Sequence, residues 1–229
     1  MKSKLTKLAL AATLAFTLNA CDEGGGGNFT DTRDKKTYKT VKIGEQVWMA
    51  ENLNYGEGKC YNDDPANCGK YGKLYNWPTA MALSYDCWSN ECASQVSAKH
   101  KGICPDGWHL PSNVEWKALV SSVGGKETAG KYLKAMSGWE GENGEDKFGF
   151  SALPGGYEDA GCDCDGFTGG TLGIGNGGYW WSVTETSSWF ANIMGISNVD
   201  SVYYEDECGD GTPCANRKNG WLSVRCVKD

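Results

Sequence analysis

Cysteine recurs along almost the whole chain, and its distribution limits the folds open to these residues. There are eleven, and ten of them run from Cys60 to Cys226. The first twenty residues have the layout of an export signal: a basic start (Lys2, Lys4, Lys7), an apolar run from Leu8 to Leu18, and a small-residue exit. An exported chain reaches compartments that permit oxidation, where an even set of cysteines reads as a disulfide framework. Ten cysteines allow many pairings. Three sets lie close together, Cys60 with Cys68, Cys87 with Cys92, and Cys208 with Cys214, and these are expected to pair locally. Cys104 is then expected to join Cys226 across the domain, leaving Cys162 and Cys164, whose bond across one residue would be strained. Structural zinc needs clustered cysteine and histidine at ligand spacing, and a chain with two histidines and scattered cysteines does not offer it.

The eleventh cysteine has a separate explanation. Leu18-Asn19-Ala20-Cys21 resembles the lipobox of bacterial lipoproteins, so cleavage before Cys21 and lipid on its thiol are expected. Removing it from the count is what leaves the other ten even. The apolar run before it is too short to persist as a membrane-spanning helix, whereas acyl chains bury methylenes worth about 0.8 kcal/mol each. The expected organisation is a signal over residues 1–20, a flexible tether over 21–30 containing Gly24 to Gly27, and one domain over 31–229. Losing the three lysines of the signal moves the formal charge from −7 to −10. An acidic surface without a basic cluster argues against nucleic acid as a partner.

Periodicity within the domain points to an α+β fold. Tyr38, Val41 and Ile43, a Gly44-Glu45 turn, and Val47-Trp48-Met49 read as a hairpin. Asn76 is placed to cap a short helix through Trp77, Ala80, Met81 and Leu83. Ser112 and Glu115 form a capping box ahead of Trp116, Leu119, Val120 and Val123, with Gly124-Gly125 ending that helix. A further helix is expected over Ala129 to Met136, and strands over Phe148 to Leu153, Gly178 to Thr184, Phe190 to Met194, Val199 to Tyr204 and Trp221 to Val227. Two or three helices followed by a β-rich end describe one loop-rich, disulfide-stapled α+β domain.

Several segments, in order, resemble one family. Lys42-Ile43-Gly44-Glu45-Gln46-Val47-Trp48-Met49-Ala50-Glu51-Asn52-Leu53-Asn54-Tyr55, Leu74-Tyr75-Asn76-Trp77, Cys104 to Trp116, Phe150-Ser151-Ala152-Leu153-Pro154-Gly155-Gly156, Tyr179-Trp180-Trp181-Ser182 and Ser223-Val224-Arg225-Cys226 are similar to the Fibrobacter succinogenes major paralogous domain. That resemblance implies a lipoprotein of a Gram-negative envelope, attached to the outer membrane, and assigns no biochemical role. A more distant similarity is to the formylglycine-generating enzyme group, carried by Leu110-Pro111-Ser112-Asn113-Val114-Glu115-Trp116 and Val224-Arg225-Cys226. It implies a C-type-lectin-like architecture, in which a long bridge such as Cys104–Cys226 ties a helix start to the last strand.

Candidate chemistry is sparse. Copper-dependent oxidation of the formylglycine-generating kind would use a cysteine pair such as Cys208 and Cys214, but their spacing and acidic flanks depart from that site, and a plain disulfide is the simpler reading. Asp159, Asp163 and Asp165 beside Gly166 are hard oxygen donors suited to calcium, yet the distal glutamate of an EF-hand is missing and a solvated acidic loop accounts for them. Glu140, Glu142, Glu145 and Asp146 read as surface. His109 between Trp108 and Leu110 reads as structural, His100 lies in a polar loop, and no acid–base pair stands out for hydrolysis. No enzymatic activity and no cofactor are therefore expected. The ten tryptophans carry the remaining lead, because rings with polar edges suit sugar faces and protein interfaces. Trp48, Trp77, Trp108, Trp116 and Trp181 fall in the shared segments and are expected in the core. Trp88, Trp139, Tyr157, Trp189, Tyr203 and Tyr204 lie in less regular segments and are the candidate ligand-binding residues. The expected role is a non-catalytic module for polysaccharide or envelope-protein partners, with a structural or adhesive protein as the alternative and an oxidase as the third reading.

Overall fold

Strong local signals set most of the elements in the computed structural model, which describes residues 26–159, 170–204 and 215–229. The chain enters through β1 (Gly27–Thr30), β2 (Thr37–Ile43) and β3 (Gln46–Met49), an antiparallel meander. Gly44 takes φ 59° in the two-residue turn between β2 and β3, a conformation that glycine adopts without a Cβ clash. Asp64, followed by proline at the first helical position, caps α1 (Pro65–Tyr71). After β4 (Leu74–Tyr75), Asn76 Oδ1 accepts the Thr79 amide at 2.9 Å and starts α2 (Trp77–Met81). β5 (Trp108–His109) leads into α3 (Asn113–Ser122), where the Ser112–Glu115 capping box is fully formed, and α4 (Lys126–Leu133) follows the glycine pair. Strands dominate thereafter: β6 (Tyr157–Asp159), β7 (Gly170–Leu172), β8 (Gly177–Glu185), β9 (Phe190–Ser197), β10 (Val202–Tyr203), β11 (Ala215–Arg217), β12 (Leu222–Ser223) and β13 (Val227–Lys228).

Two main sheets result, one in the order β1-β2-β3-β13-β5 and one in the order β10-β9-β8-β12-β4, with β11 also on β9; β6 and β7 pair separately. The adjacent tryptophans of β8 show how both sheets share a core. Successive strand residues face opposite sides, so Trp181 enters the cluster with Met49, Trp77 and Leu222, while Trp180 enters the one with Trp48, Trp116 and Phe150. Both rings are fully buried, and truncation of either to alanine costs about 3–5 kcal/mol. Disulfides join Cys60 to Cys68 and Cys87 to Cys92, as their close spacing suggested, and Cys104 to Cys226, the expected bridge across the domain. The last closes 122 residues and contributes about 5 kcal/mol in the chain-entropy model. Cys21, Cys162, Cys164, Cys208 and Cys214 lie outside the described residues.

Several expected elements differ, each for a local reason. The described residues hold four helices, because the loop carrying Cys60 and Cys68 contains α1. α4 starts earlier than Ala129 and stops at Leu133, since Lys134 turns extended and Ala135 donates its amide to the Ala152 carbonyl. Residues 148–153 form no strand beyond the Lys134–Ala152 bridge; Asp146 accepts the Ser151 amide at 2.7 Å and its hydroxyl, holding Ser151 at φ 52°. Only Val202–Tyr203 of the expected strand from Val199 is extended, because the Ser197 hydroxyl accepts the Val199 and Ser201 amides and makes a turn. Trp221 to Val227 divides between the sheets: β12 lies parallel to β8 and antiparallel to β4, Val224–Cys226 cross over, and β13 enters between β3 and β5.

Candidate functional site

The side-chain group with the most open aromatic surface is assembled around a buried ion pair. Lys218 follows β11, and its ammonium, fully buried, pairs with Glu185 at the end of β8 and donates to the Asn90 carbonyl at 2.8 Å. The Glu185 carboxylate also accepts the Cys92 amide at 2.9 Å, and the Lys218 amide donates to the Trp189 carbonyl at 2.9 Å. One cation thus fastens the Cys87–Cys92 loop to the β8–β9 connection. Removing one partner of such a pair strands the other charge and costs about 3–5 kcal/mol.

On this base the two segments bring their tryptophans together. The Trp88 and Trp189 rings meet at 5.0 Å between centroids and cross at 77°. Tyr85, 60% exposed, lies 6.3 Å from Trp88, and Phe190, 36% exposed, carries the Arg217 guanidinium 5.3 Å from its ring centre. The helical turn holding Tyr85 and Trp88 is fixed by the Ser84 hydroxyl, which accepts the Asp86 amide, and by Asn90, which donates to the Asp86 carbonyl at 2.9 Å. The result is a pre-formed aromatic corner with polar groups at its margin. Such placement on a rigid base reduces the entropy lost on binding.

The other sequence candidates divide. Tyr157 packs edge-on against Tyr179 at 5.2 Å, and the Tyr179 and Tyr203 rings both lie over Gly195, so Tyr157 and Tyr203 flank one sheet-borne tyrosine. Burial pushes the Tyr179 hydroxyl well above the usual phenol range. Trp139 and Tyr204 are corrected: both are buried in the core beneath α3 and α4. Trp139 donates to the Ala152 carbonyl and lies under the Lys134 ammonium, which satisfies the ring inside the protein. Among the calcium candidates only Asp159 is described, and Asp163 and Asp165 fall outside the described residues. No group of three potential metal ligands occurs among the described residues. Both histidines are engaged: His100 with the Met81 carbonyl, and His109 with Glu115 and Asp229.

The shared sequence segments meet elsewhere, around a second buried cation. Arg225 is wholly enclosed, with Nε and Nη2 donating to Asn52 Oδ1 at 3.1 and 2.8 Å, and further bonds to the Phe150 and Ser151 carbonyls. Its guanidinium lies 4.3 Å from the Phe150 ring centre and 5.4 Å from that of Trp180, whose Nε1 also donates to Asn52 Oδ1. Burial pulls Arg225 down to about 9, which still leaves it charged at neutral pH. Four of the six segments therefore converge on one guanidinium. A family model, the Fibrobacter succinogenes major domain, matches residues 41–228. The chain belongs to that family. Neither the curated proteins nor the solved structures contain a match to it. In this member of the Fibrobacter succinogenes major domain family, the segments that carry the resemblance build the interior, and the aromatic corner comes from residues between them. Trp88 and Trp189 were legible as irregularly placed rings. Tyr85, Phe190, Arg217, Glu185 and Lys218 were not, although Tyr85 and Trp88 bracket Cys87, the first half of a five-residue staple.

Proposed function

We propose that this chain is a non-catalytic binding module whose aromatic corner, formed by Tyr85, Trp88, Trp189 and Phe190, takes the ring faces of a polysaccharide. The observation that carries the reading is the 5.0 Å crossed contact between Trp88 and Trp189, held above the Lys218–Glu185 pair. An exposed ring face over a fixed partner ring supplies apolar area for C–H faces of a sugar while leaving ring edges to polar groups. The histidines favour binding over acid–base chemistry, since both ring nitrogens of His109 are held by carboxylates and His100 is tied through Nε2 to the Met81 carbonyl, away from the aromatic corner's own side chains. The domain belongs to a C-type-lectin-like architecture in this reading, and lipid on Cys21 attaches it to the outer membrane of a Gram-negative envelope.

Retention of the mature chain on insoluble polysaccharides and on a glycan array tests the proposal. Saturable retention that weakens about 30-fold or more in Trp88→Ala and in Trp189→Ala is the expected result, that being the scale of a binding hot spot. Retention on no polysaccharide defeats the glycan reading, and protein capture through the same two rings would replace it with a protein partner.

A further inference from the structure

A second aromatic surface lies towards the start of β8, and two glycines shape it. Tyr179 shares a face of β8 with Trp181, but Trp181 is fully buried and Tyr179 is only half-buried, so the sheet emerges from the core here. The Tyr179 ring lies down on the backbone. A Cβ at Gly195 would come within 2.8 Å of it, and one at Gly177 closer still. Neither glycine has the left-handed backbone that favours glycine, so what each supplies is room. Glycine within a strand forfeits side-chain packing and marks a close approach by another group. The approaching group is the Tyr179 ring, with one face against bare backbone and the other turned away from the sheet.

Its neighbours extend this ring into a row. Register sets Tyr179 on β8 and Tyr203 on β10 either side of Gly195, and the Tyr203 ring would meet the same Cβ at 3.3 Å. On the far side of β8 the Gly156–Gly178 bridge brings β6 alongside, where Tyr157 packs edge-on against Tyr179 at 5.2 Å. Three half-buried rings thus follow one another across β6, β8, β9 and β10, over about 14 Å at ordinary strand spacing. Tyr203 also lines an open groove of about 420 Å³, where Ser201, the exposed Glu127, and the exposed Lys126, its ammonium 4.6 Å from the Tyr204 ring centre, supply donors and acceptors. Rings with an apolar face and a polar edge take the C–H faces of sugars and leave hydroxyls to polar neighbours. A straight row suits a chain of equatorial linkages, whose sugar faces stay in one plane, better than a glycan that coils. We propose that this row is a second sugar-binding surface, which seats an extended, ribbon-like polysaccharide chain across the strands. It rests on the polysaccharide reading of the aromatic corner for the class of ligand, and the two surfaces are separable by substitution.

Titration of the mature chain with xylo-, manno- and malto-oligosaccharides of increasing length is the measurement. Affinity that climbs with length in the xylo- or manno- series and stays flat in the coiled malto- series is expected. Tyr203→Ala opens the row, and Gly195→Val fills it and lifts two rings off the backbone. Each is expected to weaken binding of the longer oligosaccharides about tenfold. A melting temperature for Tyr203→Ala close to that of the parent shows that the fold persists, so the result does not depend on Gly195→Val alone. Trp88→Ala/Trp189→Ala removes the corner and is expected to keep the dependence on length. Dependence lost in that double variant but kept in Tyr203→Ala would put the chain on the corner alone and overturn the row; the opposite pattern defeats the corner and leaves the row standing. Flat affinity in all three series, or an equal climb in the malto- series, also overturns the row.

Discussion

Two of the buried cations among the described residues, Arg225 and Lys218, are satisfied in opposite ways. Arg225 is held by neutral oxygens, the Asn52 amide and two backbone carbonyls, between the Phe150 and Trp180 rings. Lys218 is held by the Glu185 carboxylate and the Asn90 carbonyl, with its ammonium 5.2 Å from the Trp77 ring centre. The planar, delocalised guanidinium suits several fixed acceptors at once and is weakly hydrated, whereas the compact ammonium loses more water and gains more from a charged partner. Arg225 gathers segments that define the family, and Lys218 fastens a stapled loop whose rings face outward. Loops carried on a rigid frame are where binding residues collect. The contrast separates residues kept for packing from residues available for recognition.

Replacing Arg225 with methionine is the most severe test of that division. It strips two of the three donors from Asn52 Oδ1, leaving only Trp180 Nε1, removes the guanidinium from two carbonyls and changes the shape of a filled site, so a loss of about 4 kcal/mol is expected. For a domain of this size that lowers the melting temperature by roughly 8–16 °C. Lys218→Met is expected to cost about 3 kcal/mol by stranding Glu185, and the double change Lys218→Met/Glu185→Leu to recover most of it. No equivalent second change rescues Arg225, because no carboxylate is left behind. Recovery by a second substitution, read in urea titrations, thus sharpens the comparison, and equal behaviour of the two sites breaks it. Trp88→Ala should lie further down the scale, near 1 kcal/mol in stability for a half-exposed ring, while its effect on polysaccharide retention is large.

Much of the interior was readable because its signals are local. Ser112 and Glu115 announce a helix start three residues apart, Asn76 announces another, and the β2–β3 hairpin follows from a two-residue turn. Two of the three described disulfides followed from close spacing, and the third, Cys104–Cys226, was the expected long bridge among the cysteines left over. The misreadings involve tertiary pairing. Trp139 stands in a polar, irregular stretch, yet Lys134 and the Ala152 carbonyl supply it with partners from neighbouring segments. Trp221 to Val227 looks like one strand because its apolar run is continuous, although Arg225 lies at the point where the chain passes between sheets. The corner was half legible for a related reason: two rings were visible in the sequence, but nothing short of the fold places Lys218, 128 residues beyond Asn90, beneath the Cys87–Cys92 loop.

The smallest expected effect concerns a third charged group, His109, which tests whether a buried cation here must be permanent. It lies in β5 with Nδ1 2.6 Å from Asp229 and Nε2 2.7 Å from Glu115, the same glutamate that caps α3 through Ser112. Burial works against the imidazolium, but hydrogen bonds to Glu115 and Asp229 outweigh it and raise His109 above its ordinary value. Burial likewise opposes the Glu115 carboxylate, and its bonds to His109 and Ser112 outweigh that and hold it below the usual range. A group raised on folding contributes fully below its unfolded value of about 6.5 and loses that contribution as pH rises through the native value. A group lowered on folding contributes above its unfolded value, about 4.3, and loses it as pH falls through the native value. Both contributions coexist between roughly pH 4.3 and 6.5, so the melting temperature should be highest there and decline on the alkaline side with the slope of a single proton. His109→Asn should remove that alkaline decline, whereas Lys218→Met, which leaves the His109 contacts in place, should lower the whole curve without flattening it. A parallel offset in both variants would mean that the His109 clamp acts through shape alone, and that charge distinguishes only the other two sites.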